Sequence, residues 1–518
     1  MTNHDVSIGE LAKQNPWWKN REFPPDDPEK GRYEKSSFKW NPRLLKRLEE
    51  KDVIYTLRGP RRVGKTTSLK IKIEQCLSEG VLPRNIFYFS CDRLYNPPFQ
   101  NEKDLANVLE TYLRFRKADE RAFIFIDEIT QVKDWQPRIQ PLIREGKFRN
   151  CTVVFTGNHC IDVRKRPNLL VGLRGEQLLK HRDANLVLLQ PKFVEYVETR
   201  DETIGREIEK LNLHGGNKRK EVFLNLANHV IPPEVEENLS LYVPELNDLL
   251  ADYLITGGNC QATHEYVSTG TISKNIYDTF VRLITNDICE WECSQPYAKQ
   301  TLSRIIETIA WPVTWSGLIE GTSIKNHKTS RSYTEMFIDT FAVNCHYKWK
   351  RGKKRSEPHY ASPDKKIYIR DPFIFHACHA WIMGKDDPFA LSLEFLGDNR
   401  GRLVESVFSD HLTRLAFKLN FETPGSFKPH DHVFFYRTKG NNEKGETEVD
   451  FVVRIDNKFL AVESKYSDNK PNNLRAMKEF MRNAPDAYPC GIVTSKTILD
   501  DSNDKCVIIP ASILLLLI

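Results

Sequence analysis

The residues best suited to chemistry in this 518-residue chain are Gly59-Pro60-Arg61-Arg62-Val63-Gly64-Lys65-Thr66, followed by Thr67. A polyphosphate needs backbone N–H groups turned inward around it, and a Gly-rich loop running into a helix N-terminus supplies them at little conformational cost. Lys65 adds a charge for the β- and γ-phosphates, and Thr66 adds a hydroxyl for Mg²⁺. The ligand this spacing asks for is ATP, with Gly59 to Thr67 as its binding segment. A stray Gly-rich turn is the competing reading.

Further along, the apolar run Phe123-Ile124-Phe125-Ile126 ends in Asp127-Glu128. Asp127 is the candidate for the Mg²⁺ shell, and Glu128 is placed to polarise the attacking water, the step that separates a hydrolase from a nucleotide binder. Thr152-Val153-Val154-Phe155 leads to Thr156-Gly157-Asn158, where the Asn158 side chain could report the γ-phosphate; a simple turn is the alternative.

These groups must be carried by particular elements. Ile54 to Leu57 is β-prone and Thr67 to Leu77 is helix-like, so the Gly-rich segment falls between a strand and a helix. The two uninterrupted apolar runs read as parallel strands buried on both faces. The strand before the loop and the strand ending at Asp127 are expected to lie side by side.

At about 150 residues per domain, the length suggests three or four domains. The 76 Lys+Arg against 70 Asp+Glu leave a net charge of +6, too mild to establish a nucleic-acid partner. Eleven Cys without a C-x-x-C pair suit reduced thiols rather than a disulfide framework or structural zinc. Met1 to Lys13 has no apolar signal core, and Ile513 to Ile518 is too short to span a bilayer, so the expectation is a cytoplasmic protein without a membrane partner.

The segments Leu57 to Thr67, Asp127-Glu128-Ile129 with Asp134-Trp135, Thr156-Gly157-Asn158, Leu188 to Tyr196 and Tyr253 to Gly258 resemble landmarks of archaeal and bacterial AAA-type ATPases. The resemblance runs over roughly residues 40 to 518 and implies a helical lid and a C-terminal region of uncertain function. It also implies that an Arg after the sensor strand reaches a neighbouring active site. Arg174 is the matching position, although Leu173 separates it from Gly172; a surface Arg is the alternative. A homo-oligomer and a protein partner are both open.

Residues 203–300 read as a helical lid with a polar insertion. Thr301 to Trp311 is amphipathic, and a loop from Thr322 gives way to a helix from about Asn326, the order of a helix-turn-helix, with Thr329, Arg331 and Ser332 facing a groove. Lys348-Trp349-Lys350-Arg351-Gly352-Lys353-Lys354-Arg355 packs six cations around one Trp between β-prone runs, as the basic wing of a winged helix would. Such a wing grips DNA phosphates; a solvated charged hairpin is the alternative. His376-Ala377-Cys378-His379 reads as part of a packed helix rather than a metal site.

Val449 to Ile455 and Lys458 to Tyr466 are β-prone and separated by Asp456-Asn457, residue types that tolerate the positive φ of a two-residue hairpin. That turn puts Asp450 opposite Glu463 and Glu448 opposite Lys465. Asp450, Glu463 and Lys465 resemble the D…E-x-K centre of restriction-endonuclease-like folds, with Asp450 and Glu463 as metal ligands and Glu405 as the upstream carboxylate. The bare pattern is weak, because Asp364-Lys365-Lys366, Asp456-Asn457-Lys458 and Asp468-Asn469-Lys470 also satisfy it. An active metal nuclease, an inert fold and an exposed ionic hairpin stay open.

The expected α/β architecture is an N-terminal arm (1–40), a P-loop AAA-type ATPase core (41–202), a helical lid (203–300), a winged helix (301–385) and a restriction-endonuclease-like domain (386–518). The expected activity is ATP hydrolysis with Mg²⁺, coupled to a DNA-facing C-terminal half. A nucleotide-gated switch or scaffold with an inert nuclease-like domain is the alternative.

Overall fold

The computed structural model describes residues 6–48, 52–95, 104–158, 184–213, 216–290, 293–350, 363–419, 431–438, 446–470 and 474–518. Among these, no helix is long and apolar enough to cross a membrane. The chain forms two compact units, with the boundary between Leu189 and Gln190 rather than at 202/203.

The first unit is built on five strands: β1 (Val53–Arg58), β2 (Ile86–Ser90), β3 (Ala122–Asp127), β4 (Cys151–Gly157) and β5 (Asn185–Val187). Their order is β2-β3-β4-β1-β5, and all neighbours are parallel. Every residue of β1, β3 and β4 is buried, in keeping with the buried-strand reading of Phe123 to Ile126 and Thr152 to Phe155. The helix Lys65–Ser78 follows β1 through the Gly-rich loop.

β1 and β3 are not side by side as expected, because β4 lies between them. Burial patterns identify central strands but carry no information on their order, since each of the three is buried throughout.

Residues 7–35 pack on this unit, the helix Pro28–Lys35 against the helix Lys65–Ser78. A capping box at Ser7 and Glu10 starts the short helix Ile8–Ala12, and the Asp27 carboxylate caps the helix Pro28–Lys35. The side chains between them serve the exposed edge of β2. The Asn15 amide donates to the Tyr88 carbonyl at 2.9 Å and accepts from the Tyr88 N–H at 2.7 Å. Gln14 accepts from the Ser90 N–H at 3.0 Å, and the Trp17 and Trp18 indoles donate to the Ile86 carbonyl at 3.0 and 2.9 Å.

The second unit combines helices with a seven-stranded sheet. Its strands are β6 (Val343–Lys348), β7 (Lys365–Ile369), β8 (Val433–Thr438), β9 (Thr447–Ile455), β10 (Lys458–Glu463), β11 (Gly491–Ser495) and β12 (Cys506–Pro510), in the order β12-β11-β10-β9-β8-β6-β7. The helix His327–Asp339 starts at the expected cap, Asn326, whose side chain accepts from the Lys328 N–H at 2.9 Å.

The hairpin expected as a projecting wing is β6 and β7. Its strands are antiparallel and mostly buried, and β6 also pairs with β8, so one sheet continues across the boundary expected at 385/386. Of the basic loop, Lys348 to Lys350 are described, whereas Arg351 to Arg355 lie outside the described residues.

Candidate functional site

The loop from Gly59 to Gly64 turns tightly between β1 and its helix. A side chain at Gly59 would put its first carbon 2.0 Å from the Leu188 carbonyl oxygen, and Gly64 has φ +94°. Only glycine meets both demands. Pro60, Arg61 and Arg62 span the turn, Arg62 with φ 59°, while Val63 is buried and Thr67 lies in the first helical turn.

Lys65 is buried, and its ammonium donates to the carbonyls of Gly59 and Pro60, each at 2.9 Å, and to Asn158 Oδ1 at 2.8 Å. All three partners are neutral oxygens. Burial lowers the Lys65 pKa to about 8, against the pull of Glu128 and Asp127. A buried ammonium so supplied fits an incoming anion.

Thr66 Oγ1 donates to Asp127 Oδ2 at 2.6 Å, although β1 and β3 are separated by a strand. The first turn of the helix carries Thr66 to the strand end where Asp127 sits. Thr156 at the end of β4 donates to the other Asp127 oxygen, and its hydroxyl accepts from the Glu128 N–H at 2.9 Å. A hydroxyl and a carboxylate at this distance form a hard-oxygen donor set suited to Mg²⁺.

Glu128 has φ 55°, a left-handed conformation that is uncommon outside glycine and clusters at functional sites. Burial holds its carboxyl above the ordinary range, opposed by the Lys65 charge. The Asn158 amide donates to Glu128 Oε2 while its oxygen accepts from Lys65. One side chain just past the end of β4 therefore bridges the loop cation and the candidate base. Arg174 lies outside the described residues.

In the second unit the β9–β10 hairpin has the expected register. Asp456 takes φ 56°, and pairs run from Lys458 with Ile455 to Val462 with Phe451, next to Asp450 and Glu463. The Asp450 N–H is 3.4 Å from Glu463 Oε2, and Asp450 Oδ2 accepts from the Ser464 N–H at 3.0 Å. β10 ends at Glu463; Lys465 ion-pairs with Glu463 at 2.8 Å, while Glu448 pairs with Lys366 at 2.6 Å and Arg437 at 3.8 Å. The ladder ends before the expected Glu448 and Lys465 partnership, which does not form.

Glu405, on the helix Pro388–Leu419, does join the cluster, through a residue that the pattern gave no reason to prefer. Lys366 Nζ lies 3.0 Å from Glu405, 2.6 Å from Glu448 and 3.1 Å from Asp450, with its side chain 1% exposed. Tyr368, two residues along β7, donates to the same Glu405 oxygen at 2.5 Å. Burial and the nearby Asp450 charge raise Glu405 to about 7 and Glu463 to about 8. Among the described residues no three His, Cys, Asp or Glu side chains group as metal ligands. His376 instead packs in its helix, its Nε2 2.9 Å from the Leu254 carbonyl oxygen.

A parallel sheet with a Gly-rich loop closing on an acidic strand end is the arrangement of a P-loop nucleotide-binding core. Residues 51–179 match the family model of an AAA domain, and residues 400–514 match a domain of unknown function, DUF4143. No curated protein matches the chain.

Among solved structures, the Aeropyrum pernix ORC2 protein in ADPNP and ADP complexes is 12% identical with a TM-score of 0.30, covering 71% of this chain and 97% of that one. Cdc6p from Pyrobaculum aerophilum is 13% identical with a TM-score of 0.21, covering 71% and 98%. Drosophila ORC bound to DNA is 11% identical with a TM-score of 0.21, covering 64% and 90%. At these identities and scores the likeness says nothing about activity.

Proposed function

We propose that this chain binds ATP between Gly59 and Thr67 and hydrolyses it, using the nucleotide state to control its C-terminal half. The observation that carries this reading is the Asn158 bridge from Lys65 to Glu128, beside the Thr66 and Asp127 pair. Lys65 exchanges the Gly59 and Pro60 carbonyls for phosphate oxygens, while the N–H groups of the loop cradle the chain of phosphates. Thr66 and Asp127 would hold Mg²⁺, which when bound would neutralise phosphate charge. Glu128, kept basic enough by its raised pKa, accepts the proton of the attacking water. Asn158 keeps Glu128 and Lys65 in fixed relation, and Arg174 is the candidate for a charge donated to a neighbouring copy.

Lys65→Ala should abolish hydrolysis and Glu463→Ala should leave it intact; equal rates for wild type and Lys65→Ala would remove the hydrolase reading.

The C-terminal half is proposed to face DNA through exposed Arg331 and Ser332 on the helix His327–Asp339 and through the basic stretch Lys348 to Arg355. Neutralising Lys350, Arg351, Lys353 and Lys354 should flatten the salt dependence of DNA binding. A second reading, a nucleotide-gated switch with an inert nuclease-like domain around Asp450, Glu463, Lys465 and Glu405, is favoured by one observation. Lys366 already ion-pairs with Asp450 and Glu405, and Lys465 with Glu463, the carboxylates that a metal would need. DNA cleavage in Mg²⁺ or Mn²⁺ that disappears in Asp450→Asn would reject that second reading.

A further inference from the structure

Asp127 is held by three hydroxyls, of which the P-loop motif accounts for one. Thr66 and Tyr88 both donate to Oδ2, at 2.6 and 3.0 Å, while Thr156 donates to Oδ1. The strand register explains the third contact. Ser90 of β2 lies opposite Asp127, so Tyr88, two residues earlier, shares a sheet face with Ser90 and reaches the carboxylate diagonally. The phenol is buried.

Tyr88 is also the residue that the N-terminal arm grips. Asn15, fully buried, holds both its N–H and its carbonyl. On the other side the Lys70 ammonium lies 5.9 Å from the Tyr88 ring centre and pairs with Asp27 of the arm at 2.6 Å. Lys70 belongs to the helix that begins with Lys65 and Thr66. The arm thus contacts both elements that bring a hydroxyl to Asp127 Oδ2.

We infer that Tyr88 is a positioning residue for Asp127, fixing the carboxylate that serves the nucleotide's metal ion, and that Asn15 sets where Tyr88 stands. This rests on the ATPase reading above. A hydrogen bond that orients a metal-binding carboxylate changes metal affinity rather than the nucleotide contacts made by the loop, typically by about 10–100-fold.

The test measures binding of a fluorescent ATP analogue to the full chain in EDTA and across a Mg²⁺ titration, with thermal melts alongside. Tyr88→Phe should bind as wild type in EDTA, need about tenfold more Mg²⁺ for its Mg²⁺-dependent gain in affinity, and melt near wild type. Asn15→Ala should shift the Mg²⁺ requirement in the same direction by less. A wild-type Mg²⁺ requirement in Tyr88→Phe overturns the inference. So does an equal loss of affinity in EDTA and Mg²⁺ with a lowered melt, which would mark a purely structural role. Failure of the wild-type chain to bind nucleotide in either condition would overturn the ATPase reading itself and Tyr88's role with it.

Discussion

Lys366 Nζ stands 3.1 Å from Asp450 Oδ1, although β6 and β8 lie between the strands that carry them. The ammonium comes from a sheet edge into a cluster whose carboxylates would otherwise repel one another. Removing one partner of a buried ion pair leaves uncompensated charge and typically costs about 3–5 kcal/mol. Lys366→Met should therefore lower the unfolding free energy of the second unit by about that amount in denaturant melts. Adding Glu405→Gln and Asp450→Asn should recover part of the loss; no recovery would mean that Lys366 acts through packing alone.

Glu128→Gln keeps the shape of the side chain and removes the base. Hydrolysis should fall by about 10²–10⁴-fold while nucleotide affinity stays near wild type, as read by turnover and by equilibrium binding. Because burial raises the Glu128 pKa, wild-type turnover should decline on acidification before an ordinary exposed carboxylate would titrate. A flat acid limb would assign the proton transfer to another group.

Asn158→Ala breaks the bridge at both ends. The expected outcome is a loss of turnover larger than the loss of affinity, since Lys65 still reaches phosphate but Glu128 loses the amide that orients it. Equal losses in both would show that Asn158 serves binding alone.

The C-terminal carboxylates give a pH signature. Burial and Asp450 hold Glu405 near about 7 and Glu463 near about 8, with Lys465 and Lys366 opposing the Glu463 shift. Folded pKa values above the ordinary 4.5 mean that the native state binds these protons more tightly. Their contribution to stability is full below pH 4.5 and is lost as pH rises through 7 and 8. Glu463→Gln should flatten the alkaline part of that decline in melts between pH 5 and 9, roughly the span of the two titrations.

The cluster around the Gly-rich loop is legible because it is built from a few short contiguous segments and each element announces itself. Gly59 and Gly64 mark the turn, and Asp127 and Asn158 end unbroken apolar runs. Strand order was not legible: nothing in the composition of β1, β3 and β4 says which is central, and the insertion of β4 is what brings Asn158 between Lys65 and Glu128. The hairpin register could be read from Asp456-Asn457, since a two-residue turn fixes every pair after it. Lys366 could not be singled out, because its Asp-x-Lys setting matched two decoys and its approach to Glu405 depends on how a distant hairpin joins the sheet. Tyr88 was hidden for a similar reason, as an aromatic in an apolar strand usually means only packing.

The way Gln14, Asn15, Trp17 and Trp18 satisfy the outward polar groups of Ile86, Tyr88 and Ser90 bears on how this protein can be handled. A free sheet margin is a template on which another chain can add a strand. A version trimmed to begin at residue 41 would bare that margin and should self-associate as its concentration rises, whatever becomes of its catalytic chemistry.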